Sequence, residues 1–334
     1  MTSALLSLPS LPSLPPLSPL PASCRRIIID TDPGQDDAVA ILLALASPEL
    51  KVLGITAVAG NVPLDLTTRN ICKILELADR ADIPVYAGAP APLQRKLVTA
   101  EHVHGSTGLD GPSLPEPSVG LSEVQAADFI VRTVRGLPAG SVTLCALGPL
   151  TNLALALRSA PDIAPRIQEI VLMGGGCFEG GNITPAAEFN MYVDPHAASL
   201  VLASGVPIVM MPLDVTHQVL TTRARVAALR AIGTRCAAAV ADMLSFSERF
   251  DVEKYGTDGG PLHDPCVVAY LLLPGLFSGR LINVEVETTS ELTMGMTVAD
   301  WWRVSGRAAN ALFMRSVDAN GFYLLLNERM ARLP

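Results

Sequence analysis

Residues 30–37 read Asp-Thr-Asp-Pro-Gly-Gln-Asp-Asp, four carboxylates in eight positions directly after an apolar run. Carboxylates crowded this closely raise one another's pKa. A hard divalent cation relieves the repulsion: calcium takes about six to eight oxygen ligands, magnesium fewer, in strict octahedral geometry. As a plain acidic turn, the same segment would use Asp36 or Asp37 to cap the following helix. Four carboxylates at one strand end favour the cation.

Other strand ends supply matching chemistry. Ala57-Val58-Ala59-Gly60-Asn61 places an amide after a second apolar run. In Leu147-Gly148-Pro149-Leu150-Thr151-Asn152, the Gly-Pro pair releases a backbone carbonyl that a cation could use, or simply makes a turn into a helix. Met173-Gly174-Gly175-Gly176 could cradle a phosphate, but no Gly-Lys-Ser/Thr ending follows. The loop from Gly181 to Asn190 carries Asn182, Glu188 and Asn190, groups suited to sugar hydroxyls or to ordinary turns. Leu262-His263-Asp264-Pro265 precedes an apolar helix; alone, Asp264 would read as its cap.

The elements that must hold these groups alternate. Strand patterns at 26–30, 51–58, 84–86, 142–147, 169–173, 207–211, 280–287 and 311–317 are interleaved with helical patterns at 37–46, 66–80, 123–134, 150–158, 197–203, much of 222–250, and 319–331. Alternation of this kind predicts an α/β fold, one domain with a mainly parallel central sheet flanked by helices. Segments 87–120 and 245–263, rich in Gly, Pro, His and polar residues, read as loops over a site. In open α/β sheets, ligands bind beyond the carboxyl ends of the strands, where the residues above fall.

Composition narrows the partners. The net charge of -8 excludes a broad nucleic-acid grip, which needs a basic surface, but not a neutral nucleoside. The six cysteines form no Cys-x-x-Cys pair, so no zinc knuckle or disulfide framework is expected. Apolar runs are far shorter than the roughly 20 residues of a membrane span. The Leu/Pro/Ser-rich stretch 1–23 lacks a basic start and a helical apolar core, and reads as a disordered extension rather than a secretory signal; the catalytic domain is expected over 24–334. Cytoplasmic residence follows as an expectation.

The motif Asp30-Thr31-Asp32-Pro33-Gly34-Gln35-Asp36-Asp37-Ala38 resembles the signature of the inosine–uridine preferring nucleoside hydrolases. The likeness continues, in family order, through Val58–Asn61, His104-Gly105, Gly148–Asn152, Met173–Gly175, Gly181-Asn182 with Glu188-Phe189-Asn190, and His263-Asp264-Pro265. It covers about residues 25–330. The resemblance implies calcium-dependent hydrolysis of the N-glycosidic bond of ribonucleosides, giving ribose and free base, by homodimers or homotetramers. Asp32, Asp37, the Leu147 carbonyl and Asp264 would hold calcium. Asp36, Asn61, Asn182, Glu188 and Asn190 would read the ribose, with His104 at the pocket edge. Asp32 would be the general base toward the attacking water, and His263 the general acid for the leaving base. Some members carry tyrosines before the His-Asp-Pro motif; here Ser247 and Asp251 stand in such places, leaving Tyr255, Phe246 and Phe250, so purine or pyrimidine preference stays open.

The chemistry agrees with those roles. Breaking a sugar–base bond develops positive charge on the sugar, which carboxylates stabilise. A histidine can protonate a leaving base near neutral pH. Haloacid-dehalogenase phosphatases also open with Asp-x-Asp after a strand, but lack the second Asp pair and the His-Asp-Pro motif. Hydrolysis of another ribosylated metabolite, or a non-catalytic calcium-dependent nucleoside-binding protein, are the remaining alternatives.

Overall fold

The computed structural model describes residues 24–256 and 258–334, with side chains throughout except in 248–255. The expected extension 1–23 and the side chains of Phe250, Asp251 and Tyr255 lie outside the described residues. The strands are β1 (Arg25–Thr31), β2 (Leu50–Ala57), β3 (Val85–Ala87), β4 (Val142–Ala146), β5 (Glu169–Met173), β6 (Ile208–Met211), β7 (Leu220–Thr222), β8 (Gly259–Pro261), β9 (Phe277–Ile282), β10 (Val284–Val286), β11 (Thr297–Ala299) and β12 (Ala311–Val317). The helices are α1 (Gln35–Leu45), α2 (Leu64–Leu77), α3 (Glu101–His104), α4 (Ala126–Gly136), α5 (Thr151–Ser159), α6 (Phe189–Val193), α7 (Pro195–Leu202), α8 (Leu213–Thr216), α9 (Arg223–Ala231), α10 (Arg235–Tyr255), α11 (Pro265–Leu272) and α12 (Ala319–Met330).

Eight strands form one sheet in the order β3-β2-β1-β4-β5-β6-β12-β9, parallel except for β9, which runs antiparallel along β12. Successive side chains of β1 serve opposite faces. Ile27 and Ile29 join the layer of α1, α2, α10, α11 and α12, while Ile28 joins that of α4, α5 and α7. Burial on both faces explains why the strands read as unbroken aliphatic runs. The chain leaves β1 toward β2 and β3 on one side and resumes at β4 on the other. The β1/β4 boundary is therefore the topological switch point, where an open sheet leaves a crevice.

Three expectations are corrected. The segment 245–263 is not a loop: α10 continues to Tyr255, since no Gly or Pro interrupts it before Gly256, whose φ of +64° suits a helix end. Residues 259–261 then pair with β7. The stretch 280–287 is two strands, β9 on the main sheet and β10 in a separate pair with β11. The segment 87–120 contains the short helix α3.

Candidate active site

The switch-point crevice is where the predicted residues gather. Asp36, Asn61, His104, Leu147, Asn182, Glu188, Asn190, His263 and Asp264 line one cleft. Asp32 and Asp37, each 1% exposed, are buried behind it, both hydrogen-bonded to the lining residue Asn61.

Asp32 follows the end of β1 and sits between the chain segments leaving the two neighbouring strands. A Cβ on Gly60 would stand 2.0 Å from its Oδ2, and one on Gly148 2.2 Å from its Oδ1. Only glycine on both sides leaves room for this carboxylate. The Asn61 backbone N–H donates to Asp32 Oδ2 (2.7 Å), and the Asn61 side-chain amide donates to the Asp32 carbonyl (3.1 Å) and Asp37 Oδ2 (3.4 Å). Burial, then the charge of Asp37, raises the Asp32 pKa well above the usual carboxylate range.

Asp37 does what an acidic turn would do, and more. Its Oδ2 accepts from the Gly34 N–H (2.9 Å), capping α1, while Oδ1 accepts from the Thr31 hydroxyl (2.5 Å). Asp264 opens α11, yet its carboxylate makes no capping hydrogen bond. It faces Asp37 instead. Oxygens of Asp36, Asp37 and Asp264 lie within 4.8 Å of one another. Burial and mutual repulsion push Asp37 up to about 6 and Asp264 well above its ordinary value, with Asp36, Asp37 and Asp32 all contributing to the latter. Carboxylates converging in a buried floor fit a hard, oxygen-liganded cation. The Leu147 carbonyl, at the end of β4, accepts from Asn190 Nδ2 (2.7 Å) and keeps a second lone pair. The tightest trio thus includes Asp36, which sequence reasoning assigned to ribose, with Asp32 within electrostatic reach beside it.

The fourth carboxylate of the motif stands apart. Asp30 Oδ2 accepts from Thr56 Oγ1 (2.5 Å) and Asn152 Nδ2 (2.8 Å), joining β1 to β2 and to the start of α5. Its burial lifts the carboxyl to about 7.

On the far wall, Glu188 caps α6: its Oε1 accepts from the Asn190 N–H (2.9 Å), and Oε2 from the N–H groups of Gly175 (2.9 Å) and Met191 (3.2 Å). Burial raises it to about 7 despite those donors. The glycine turn thus binds this carboxylate. Asn182 Oδ1 accepts from the Phe189 N–H (2.8 Å), closing the loop on α6. His263 is half-buried, with Nδ1 2.7 Å from Thr216 Oγ1 and its ring 5.7 Å from that of His217. His104 packs on Gly34; burial lowers its pKa.

Sequence reading missed three supporting residues. Thr216 and Asp214 follow β6, a strand end that the carboxyl-end rule would have flagged. Asp214 accepts from the N–H groups of Cys177 (2.8 Å), Phe178 (2.6 Å) and Glu179 (3.2 Å), holding the loop before Asn182. Gln35, inside the acidic motif, contacts His104.

Residues 27–324 match the family model described as inosine-uridine preferring nucleoside hydrolase. An uncharacterized protein of Schizosaccharomyces pombe is 56% identical over 92% of this chain and 100% of its own. A pyrimidine-specific ribonucleoside hydrolase of Salmonella arizonae is 50% identical over 91% of this chain and 97% of its own. Among solved structures, a purine-preferring ribonucleoside hydrolase from Gardnerella vaginalis superposes with a TM-score of 0.86 at 32% identity, covering 92% of this chain and 98% of that one.

Proposed function

The chain belongs to the inosine–uridine preferring nucleoside hydrolase family, and from that premise we propose a calcium-dependent ribonucleoside hydrolase that prefers pyrimidine nucleosides. The reaction is hydrolysis of a ribonucleoside to ribose and free base. The observation that carries the site assignment is the convergence of Asp36, Asp37 and Asp264 beneath a cleft walled by Asn182, Glu188, Asn190 and His263. The pyrimidine preference rests on the identity to the Salmonella enzyme.

Asp32, Asp37, Asp264 and the Leu147 carbonyl would hold calcium, with Asp36 close enough to share it. When bound, the ion supplies positive charge that orients water and sugar hydroxyls and eases deprotonation of the water. Asp32, desolvated and beside Asp37, has the raised proton affinity of a general base and takes the proton of the attacking water. Asp36, Asn61, Asn182, Glu188 and Asn190 fix the ribose, and the carboxylates of Asp36 and Glu188 favour the cationic sugar of the transition state. The glycosidic electron pair leaves with the base nitrogen, which receives a proton from His263.

Among the described residues no helix is long and apolar enough to cross a membrane, and all six cysteines are unpaired thiols. Those thiols support a reducing, cytoplasmic setting. Family likeness supports assembly as a homodimer or homotetramer, which light scattering tests. The catalytic reading is tested by incubating the protein with calcium and uridine or inosine and assaying free ribose. Release from uridine ahead of inosine supports the reading. Calcium-dependent binding without ribose would leave a nucleoside-binding protein, and release from neither nucleoside would point to another riboside.

A further inference from the structure

Gln35 is 1% exposed and sits between the two halves of the acidic motif, where no carboxylate role accounts for it. Its side-chain amide makes three contacts. Nε2 lies 2.9 Å from the His104 carbonyl and 3.0 Å from the Asp110 carbonyl, and Oε1 lies 2.7 Å from His104 Nδ1. Carbonyl oxygens only accept, so the NH2 group must face the two carbonyls, and the amide oxygen is left for the ring. That oxygen also only accepts, so the proton of this contact belongs to Nδ1. A neutral imidazole protonated at Nδ1 carries a lone pair at Nε2.

The ring pose is set from the other side as well. A Cβ at position 34 would lie 2.4 Å from His104 Nδ1, 2.6 Å from Cε1 and 3.0 Å from Cγ. Glycine therefore admits the Nδ1 edge of the ring, and the Nε2 edge is turned away from this contact. His104 lines the same cleft as Asp36 and His263.

We propose that Gln35 is a positioning residue that locks His104 in its Nδ1–H tautomer, so that Nε2 offers a hydrogen-bond acceptor to a donor group of the bound ribonucleoside. The inference rests on the ribonucleoside reading of this cleft and deepens it. Uridine carries four donors, the N3–H and the 2′-, 3′- and 5′-hydroxyls. With the 2′- and 3′-hydroxyls taken by the residues that would fix the ribose, the N3–H of the base and the 5′-hydroxyl of the sugar are left for Nε2. A buried acceptor of fixed tautomer discriminates against a ligand lacking its donor, because the pair is then left unmade.

Two measurements test this. Long-range proton–nitrogen spectra of the unliganded wild-type protein, with His104 assigned by the loss of its signals in His104→Phe, should show a protonated Nδ1 and an unprotonated Nε2. The opposite tautomer in the wild type overturns the proposal without recourse to any variant. The kinetic arm compares kcat/KM for uridine, 3-methyluridine and 5′-deoxyuridine in wild type and Gln35→Met. Deleting the donor that meets Nε2 should carry a penalty roughly 3–10-fold larger in wild type than in Gln35→Met, the size of one hydrogen bond. An excess penalty on 3-methyluridine identifies the base as the donor, and one on 5′-deoxyuridine identifies the sugar. Equal penalties in both proteins for both analogues overturn the proposal. If the wild-type protein releases no ribose from uridine, the functional reading fails, while the spectra still decide the tautomer.

Discussion

Thr216 Oγ1 lies 2.7 Å from His263 Nδ1, so the ring that faces the cleft is held by a buried hydroxyl from the end of α8. That contact fixes the ring by its Nδ1 edge beside the cleft. His263→Ala should slow uridine and inosine by roughly 100-fold or more, the scale of a lost general acid. A p-nitrophenyl riboside, whose leaving group needs no proton, should be nearly unaffected. Thr216→Val should show the same split in milder form. Steady-state rates on both substrate types decide the role: an equal loss on both makes His263 a residue that shapes the site.

Asp37→Ala removes both a cap of α1 and one member of the acidic trio. Asp264→Asn separates these effects, because Asp264 makes no capping bond. Calcium should raise the melting temperature of the wild type, since a ligand of the native state stabilises it. Asp264→Asn should abolish most of that rise and bring activity to background. A full calcium response in Asp264→Asn would remove this residue from the metal site.

Stability without divalent cations should fall as pH rises. Burial holds Asp30 and Glu188 at about 7 and Asp37 at about 6. These folded-state values exceed the unfolded ones, so the native chain binds more protons. Their contribution is fully present below about pH 4 and is lost as pH climbs through 6 to 7. Melting temperature in a chelator should therefore drop between about pH 5 and pH 8. Asp30→Asn should flatten part of the slope. Calcium should stabilise more at the alkaline end, because binding displaces protons from carboxylates. A chelated protein whose melting point rises over this range would contradict the burial of neutral carboxyls.

The wall formed by Asn182, Glu188 and Asn190 should read the ribose. A 2′-deoxynucleoside leaves buried polar groups unpaired, so deoxyuridine should react at least roughly 100-fold more slowly than uridine. Comparable kcat/KM values for the two would remove this loop from sugar recognition.

Gly60→Ala and Gly148→Ala each place a methyl group within about 2 Å of an Asp32 oxygen, at the backbone-fixed distances of 2.0 and 2.2 Å. Either substitution should reduce kcat sharply while leaving the far-ultraviolet circular dichroism unchanged. Wild-type turnover in either variant would show that Asp32 need not occupy this position.

The strands were legible because burial on both faces writes long aliphatic runs, and the acidic turn was legible because four carboxylates in eight positions exceed what capping one helix needs. Other features depend on space rather than on pattern. Nothing near Asp30 in the sequence shows that it reaches Thr56 and Asn152 and leaves the acidic trio. The pairing of Asp214 with the amides of Cys177–Glu179 is equally invisible, because a lone Asp at a helix start resembles any cap. The strand assigned to 280–287 failed at Asn283, where the chain passes to a second sheet with no change in local propensity.

Asp36 and Asp37 open α1 near the start of the chain, whereas Asp264 opens α11 far toward its end, and the two helices pack side by side. A ribosome must therefore deliver most of the protein before the acidic trio can close. A nascent chain halted before α11 can already build β1 to β6, yet it lacks the carboxylate that completes the trio. Cation affinity thus reports a contact between distant parts of the chain rather than the presence of the acidic motif. Closing so long a loop also carries a large entropic cost before any contact repays it. Metal capture is accordingly expected as a late event in folding, and slow refolding from denaturant should show secondary structure returning before calcium binding does.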